Sequence, residues 1–159
     1  MTEQRKSSRS ATLIVAGYSG DDLAKGARLL APLRRFGPPL VDLIQPRSYP
    51  DFLALIASFA PAGRHTYQPA HSVKQFSGEA LDPLVSSAEK FTSPYSAILI
   101  HHIHGAVAQV TPEATAFALT EPHYIVKHDA AWEDDLAEVH IAWVQASFAA
   151  RQPFTKAGL

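Results

Sequence analysis

Apolar positions along the 159-residue chain fall into short runs and short helical stripes, punctuated by glycine, proline and charged residues. Leu13–Ala16 is an apolar run stopped by Gly17-Tyr18-Ser19-Gly20, which predicts a strand followed by a turn. Leu23, Ala27, Leu30 and Ala31 then recur at helical spacing. Ser19 or Asp21 stands where a helix cap is needed, and Gly37-Pro38-Pro39 ends the helix. Leu40–Ile44 reads as a second extended piece, closed by Pro46. Phe52, Leu55, Ile56 and Phe59 make Tyr49–Phe59 a short helix, with Pro50 near its start and Pro61 past its end. The stretch GRHTYQPAHSVKQF alternates weakly around Pro69, as an irregular or edge strand does. After Ser77, Leu81, Leu84, Val85 and Ala88 return to helical spacing, and Pro83 is read as marking the first turn.

Ser96–His104 is the strongest strand, with Gly105 bending it before Ala106–Val110 continues. Thr111-Pro112-Glu113 is a turn, ATAFAL a short extended piece, and Tyr124–Ala130 a further strand. The last helix is read from EDDLAEVHIAWVQASFAARQ. Its acidic residues at 133–135 suit a positive helix end, and Leu136, Val139, Trp143 and Ala146 form its apolar stripe. Trp143, on that stripe, is expected in the core. Several late strands follow one another without a helical crossover, which requires antiparallel pairing. The expected fold is α+β, an antiparallel sheet with helices packed mainly on one face. Residues 1–10 are expected to be a flexible tail, and 11–155 one domain.

Composition narrows the function classes. A net charge of −1 provides no electrostatic footprint for nucleic acid or an anionic membrane surface. There is no cysteine, so disulfides, thiolate nucleophiles and Cys-based metal sites are excluded. No apolar run approaches the roughly 20 residues needed to span a bilayer, and no signal-peptide core follows the basic N-terminus, so a cytoplasmic protein is expected. GYSGDD is neither a P-loop nor a dinucleotide fingerprint.

The unusual chemistry lies in ILIHHIHGAVAQV, where three of eight histidines fall within four positions. On a strand, His102 and His104 share one face and His101 points to the other. A neutral imidazole suits proton abstraction near neutral pH, which makes His102 and His104 candidate bases, with Tyr124 on an expected neighbouring strand. The same pair can ligate a metal if a third donor such as Glu113, His123 or His128 approaches, or it can simply line a pocket or serve the sheet. No metal is expected.

Three stretches together resemble the FAD-linked oxidases related to berberine bridge enzyme and 6-hydroxynicotine oxidase. They are GYSGDDLAKGARLLAPLRRFGPPLVDLIQPRSYPDF, ILIHHIHGAVAQVTPEATAF and AAWEDDLAEVHIAWVQASFAARQPFT, and they span roughly residues 12–155. In that family such a region is the substrate-binding domain, an antiparallel sheet backed by helices that lies over the flavin ring. The resemblance therefore implies FAD, but the family's FAD-binding domain and its C-terminal segment have no counterpart here. Leu119-Thr120 also replaces an arginine common in the family. This chain alone is accordingly not expected to hold the cofactor.

The implied function is a small-molecule binding module or one subunit of a split flavin oxidase, working with a separate FAD-binding chain. A sheet shaped to lie against another domain exposes apolar surface, so a homodimer or partner chain is expected. His101, Phe117 and Trp132 are the candidate ligand contacts, and His102, His104 and Tyr124 the candidate reactive groups. The alternative is a flavin-independent, metal-assisted enzyme using the His102/His104 face.

Overall fold

The structure is a computed structural model and describes residues 11–117 and 119–150. The tail expected at 1–10 and the end of the last expected helix, beyond Ala150, lie outside the described residues. The chain groups into two compact units, one of Ala11–Ala62 and one that includes residues 63–150.

The first unit holds helices α1 (Leu23–Arg35) and α2 (Tyr49–Phe59). Asp22, rather than Ser19 or Asp21, caps α1 by accepting a hydrogen bond from the Lys25 amide at 2.8 Å. Ser48 caps α2, and Pro50 sits in its first turn, where a missing amide hydrogen costs nothing. Two expected strands do not form here. Leu40–Ile44 is held in a turn instead: Asp42 accepts from the Ile44 amide at 2.9 Å, and Arg34 bonds both Asp42 and the Ile44 carbonyl. These local bonds satisfy the groups that a ladder would otherwise use. Leu13–Ala16 pairs with no strand among the described residues.

The second unit is an antiparallel sheet of four strands carrying two helices, so the fold is α+β. Its elements are β1 (His65–Tyr67), β2 (Ala70–Val73), α3 (Gly78–Ala88), β3 (Ala97–Ile103), β4 (His123–Trp132) and α4 (Ala137–Ala149). Central β4 pairs with β3 on one side, and with β2 and β1 in succession on the other. Tyr67 faces Ala130 and Ala70 faces Lys127, so the register runs through Gln68-Pro69 without a shift. Proline cannot donate to the ladder, yet its carbonyl still accepts from the His128 amide at 3.0 Å. The break at Pro69 is therefore a gap in one edge strand. Pro83 lies inside α3, well past the first turn, with Ser77 as the cap.

After β3, Gly105 takes φ +69°, a conformation that glycine tolerates and other residues resist. It turns the chain into a 3-10 turn over Gly105–Gln109, where a continued strand was expected. The described residues of the expected extended piece ATAFAL form no strand either. The Thr115 hydroxyl bonds the Phe117 carbonyl and accepts from its amide, which folds that loop on itself.

Side chains alternate along β4, and the even-numbered ones face the helices. Ala130 and Trp132 pack with Trp143 and Val144 of α4, while Val126 packs with Val73 and Leu84. Each fully buried large apolar side chain of this kind contributes about 1.5–3 kcal/mol. Trp143 is in the core as expected, and its indole N–H donates to the Ser87 carbonyl at 3.0 Å. The remainder of the expected α4 stripe is rotated. His140, Trp143, Val144 and Ser147 are buried, while Leu136 and Val139 are about half exposed. Leu136 precedes the first turn of the helix rather than lying within it.

Polar residues on that buried face are tolerated because each has a partner. Ser147 Oγ and His128 Nδ1 lie 2.8 Å apart between helix and sheet. Ser147→Ala should cost about 1–3 kcal/mol, because it strips a buried imidazole nitrogen of its hydroxyl. Urea unfolding measures this directly, and a change of a few tenths would show the pair to be energetically idle. Among the described residues no helix is long and apolar enough to cross a membrane.

Candidate functional site

Residues facing each other across an antiparallel ladder share a face. His102 of β3 faces Tyr124 of β4, and Ile100 faces Val126, so the histidine lies on the helix-covered side of the sheet. The helices do not reach that end. Ile100 is 49% exposed, and His102 and His104 are both exposed.

What fills this end is a row of rings. Phe76 meets Tyr124 edge to face at 4.9 Å, and Tyr124 stacks on His102 at 4.3 Å with 12° between planes. His102 in turn stacks on His104 at 4.0 Å. The three residues read from the sequence as reactive groups are thus brought together, His102 from β3, His104 from the extended residue just past its end, and Tyr124 from the central strand. The row ends in the ring of His104, just before Gly105 turns the chain away. Such a row can stack on a planar ligand and offer imidazole nitrogens as donors or acceptors.

The residues read as ligand contacts are placed elsewhere. His101 points to the opposite face, where it faces Ile125. Phe117 sits in the exposed Thr115 turn. Trp132 is 6% exposed and stacks between His65 and His140. It lies eight residues along β4 from Tyr124, on the order of 26 Å at the rise of an extended strand.

Nor do the conceivable third metal donors converge. His123 occupies the opposite face and bonds the Glu121 carbonyl, and His128 is buried against Ser147. Among the described residues no group of three histidine or acidic side chains could hold a metal ion.

An FAD pyrophosphate needs backbone amides, such as those of a glycine turn between a strand and a helix. Among the described residues the two glycines with positive φ are Gly63, ahead of β1, and Gly105, which opens a five-residue 3-10 turn. Neither leads a strand into an α-helix, so neither forms a turn of that kind.

A separate hydrogen-bonded array was missed in the sequence. His140, on the first turn of α4, is 1% exposed; its Nδ1 is 2.8 Å from Thr92 Oγ1 and its Nε2 3.0 Å from Asp134 Oδ1. Asp134 also accepts from the Leu136 amide at 2.9 Å. That amide first, and the His140 ring second, hold its carboxyl below the usual aspartate range. The available signal was His140 standing seven residues before Ser147, a stripe that hydropathy alone passes over. A shallow groove of about 160 Å³ between α3 and α4, with Lys90, Trp143 and Ser147 in its lining, is a third feature.

The depressed carboxyl gives a pH prediction. A lowered folded-state value stabilises the fold above the unfolded-state value, about pH 4 for aspartate, and this contribution is lost as pH falls through the folded value. Thermal melts should therefore show that Asp134→Asn narrows the stability difference between neutral and strongly acidic pH. Parallel curves for variant and wild type would contradict this.

No protein-family model matches the chain, and no curated protein matches it.

Proposed function

We propose that this protein is a small-molecule binding module related to the substrate-binding domain of FAD-linked oxidases. The observation that carries this reading is the ring row of Tyr124, His102 and His104 on a sheet end that the helices leave open. A substrate domain of that kind works by presenting a sheet face to a planar ring held elsewhere. In support, the fold is an antiparallel sheet backed by helices, and the open end carries stacking groups.

The cofactor's pyrophosphate is held by polypeptide other than residues 11–150, as a split oxidase requires. Ile100, Val107 and Val110 are exposed apolar side chains on β3 and just beyond it. They are the surface that a covering partner or second copy would bury.

Riboflavin tests the reading because it carries the planar ring without the pyrophosphate, and its fluorescence falls when the ring stacks. The expected result is saturable quenching by the purified protein, with no gain in affinity when FAD replaces riboflavin. Tighter binding of FAD would place the cofactor cradle within this chain, and absence of quenching would remove the ring-binding role.

A further inference from the structure

We propose that Thr92, His140 and Asp134 form a second reactive site, an acyl-transfer centre that takes small esters, with Thr92 as the acyl acceptor. The inference is independent of the ring row, which lies at the other end of β4. Its basis is a continuous array of hydroxyl, imidazole and carboxylate with contacts of 2.8 and 3.0 Å. The order of these groups is what nucleophilic catalysis by a hydroxyl requires.

The protonation pattern follows from the carboxylate. Ionised Asp134 can only accept, so in the neutral imidazole Nε2 carries the hydrogen and Nδ1 is the acceptor. The Thr92 hydroxyl then donates to Nδ1, which is the arrangement that activates the oxygen. The imidazole plane is held by Trp132, stacked on it at 5.3 Å and 25°. The base is buried while Thr92, in the segment between α3 and β3, is exposed. The acyl acceptor is thus carried on an exposed residue with the base directly behind it.

The step balances without a further reactant beyond water. Thr92 Oγ1 bonds to the ester carbonyl carbon as its proton passes to His140 Nδ1. The bond from that carbon to the alkoxy oxygen breaks, and the leaving alcohol takes the proton from His140. Water, deprotonated by the same nitrogen, then attacks the acyl-threonine, releases the acid and restores the hydroxyl. Thr92 and His140 act on the reacting atoms, and Asp134 is a positioning residue. His65 lies across the Trp132 ring from His140, and Glu133, beside Asp134 in the chain, bonds Arg64 and Tyr95.

p-Nitrophenyl acetate is the probe, with nitrophenolate release followed by absorbance and the acetyl group located by peptide mass spectrometry. The expected result is acetyl on Thr92, release slowed about a hundredfold in Thr92→Val, and retention in Thr92→Ser. Asp134→Asn should displace the pH profile of acylation. Thr92→Val takes the hydroxyl partner from buried His140 and should lower stability, so its fold is checked by circular dichroism, and Thr92→Ser, which keeps that partner, is the folded control. Acetyl found only on lysines or on other histidines, or release in Thr92→Val equal to wild type, overturns the proposal.

Discussion

Trp143→Ala should lower the free energy of unfolding by about 3–5 kcal/mol, the cost of emptying a large aromatic site that cannot fully collapse. The indole fills the space between α4, α3 and β4, meets Phe91 edge to face at 5.1 Å, and donates to the Ser87 carbonyl. Its loss removes packing, an aromatic pair and a buried hydrogen bond together. Domains are typically stable by only about 5–15 kcal/mol, so one substitution takes a large part of the total. At about 2–4 °C per kcal/mol the midpoint should fall by on the order of 10 °C, as circular dichroism would show. Trp143→Phe should recover most of the packing but not the Ser87 bond. A loss below about 1 kcal/mol for the alanine variant would mean that α4 does not anchor the sheet.

The second large effect concerns binding rather than stability. In His102→Ala/Tyr124→Ala the central two rings of the row are gone, and His104 loses the ring it stacks on. Ring pairs contribute about 0.5–1.5 kcal/mol each, so riboflavin affinity should weaken by about tenfold or more. Both residues lie at the sheet end that the helices leave open, and Val126, at the heart of the second core cluster, is untouched. The melting midpoint should therefore move far less than in Trp143→Ala. Fluorescence titration and thermal melts of one preparation separate the two effects. Unaltered quenching in the double variant would place the binding surface elsewhere.

Much of the fold was legible where local signals agreed. Pro50, Pro61 and the apolar spacing of Phe52, Leu55, Ile56 and Phe59 all point to one helix, and α2 spans Tyr49–Phe59 as read. The face shared by His102 and His104 followed from strand periodicity alone, and their stacking needs nothing more. Strands at 13–16 and 40–44 were misread because an apolar run states a preference for extension without supplying a partner. Around Ile44 the local bonds of Asp42 and Arg34 took the place of that partner.

The buried face of α4 was misread for a different reason. His140 and Ser147 are polar, and only their tertiary partners Thr92, Asp134 and His128 make burial tolerable. Those partners come from the loop before β3, the loop before α4 and the central strand, which no helical stripe reveals. Trp132 was read as a ligand contact from its ring, but burial between His65 and His140 commits that ring to the core.

The direct test of the ring row as a binding surface is histidine side-chain NMR during a riboflavin titration. The resonances of His102 and His104 should shift progressively and saturate together, while buried His128 and His140 stay in place. Movement of His128 or His140 without His102 and His104, or no movement of any ring at saturating riboflavin, would contradict the assignment of this sheet end as the binding site.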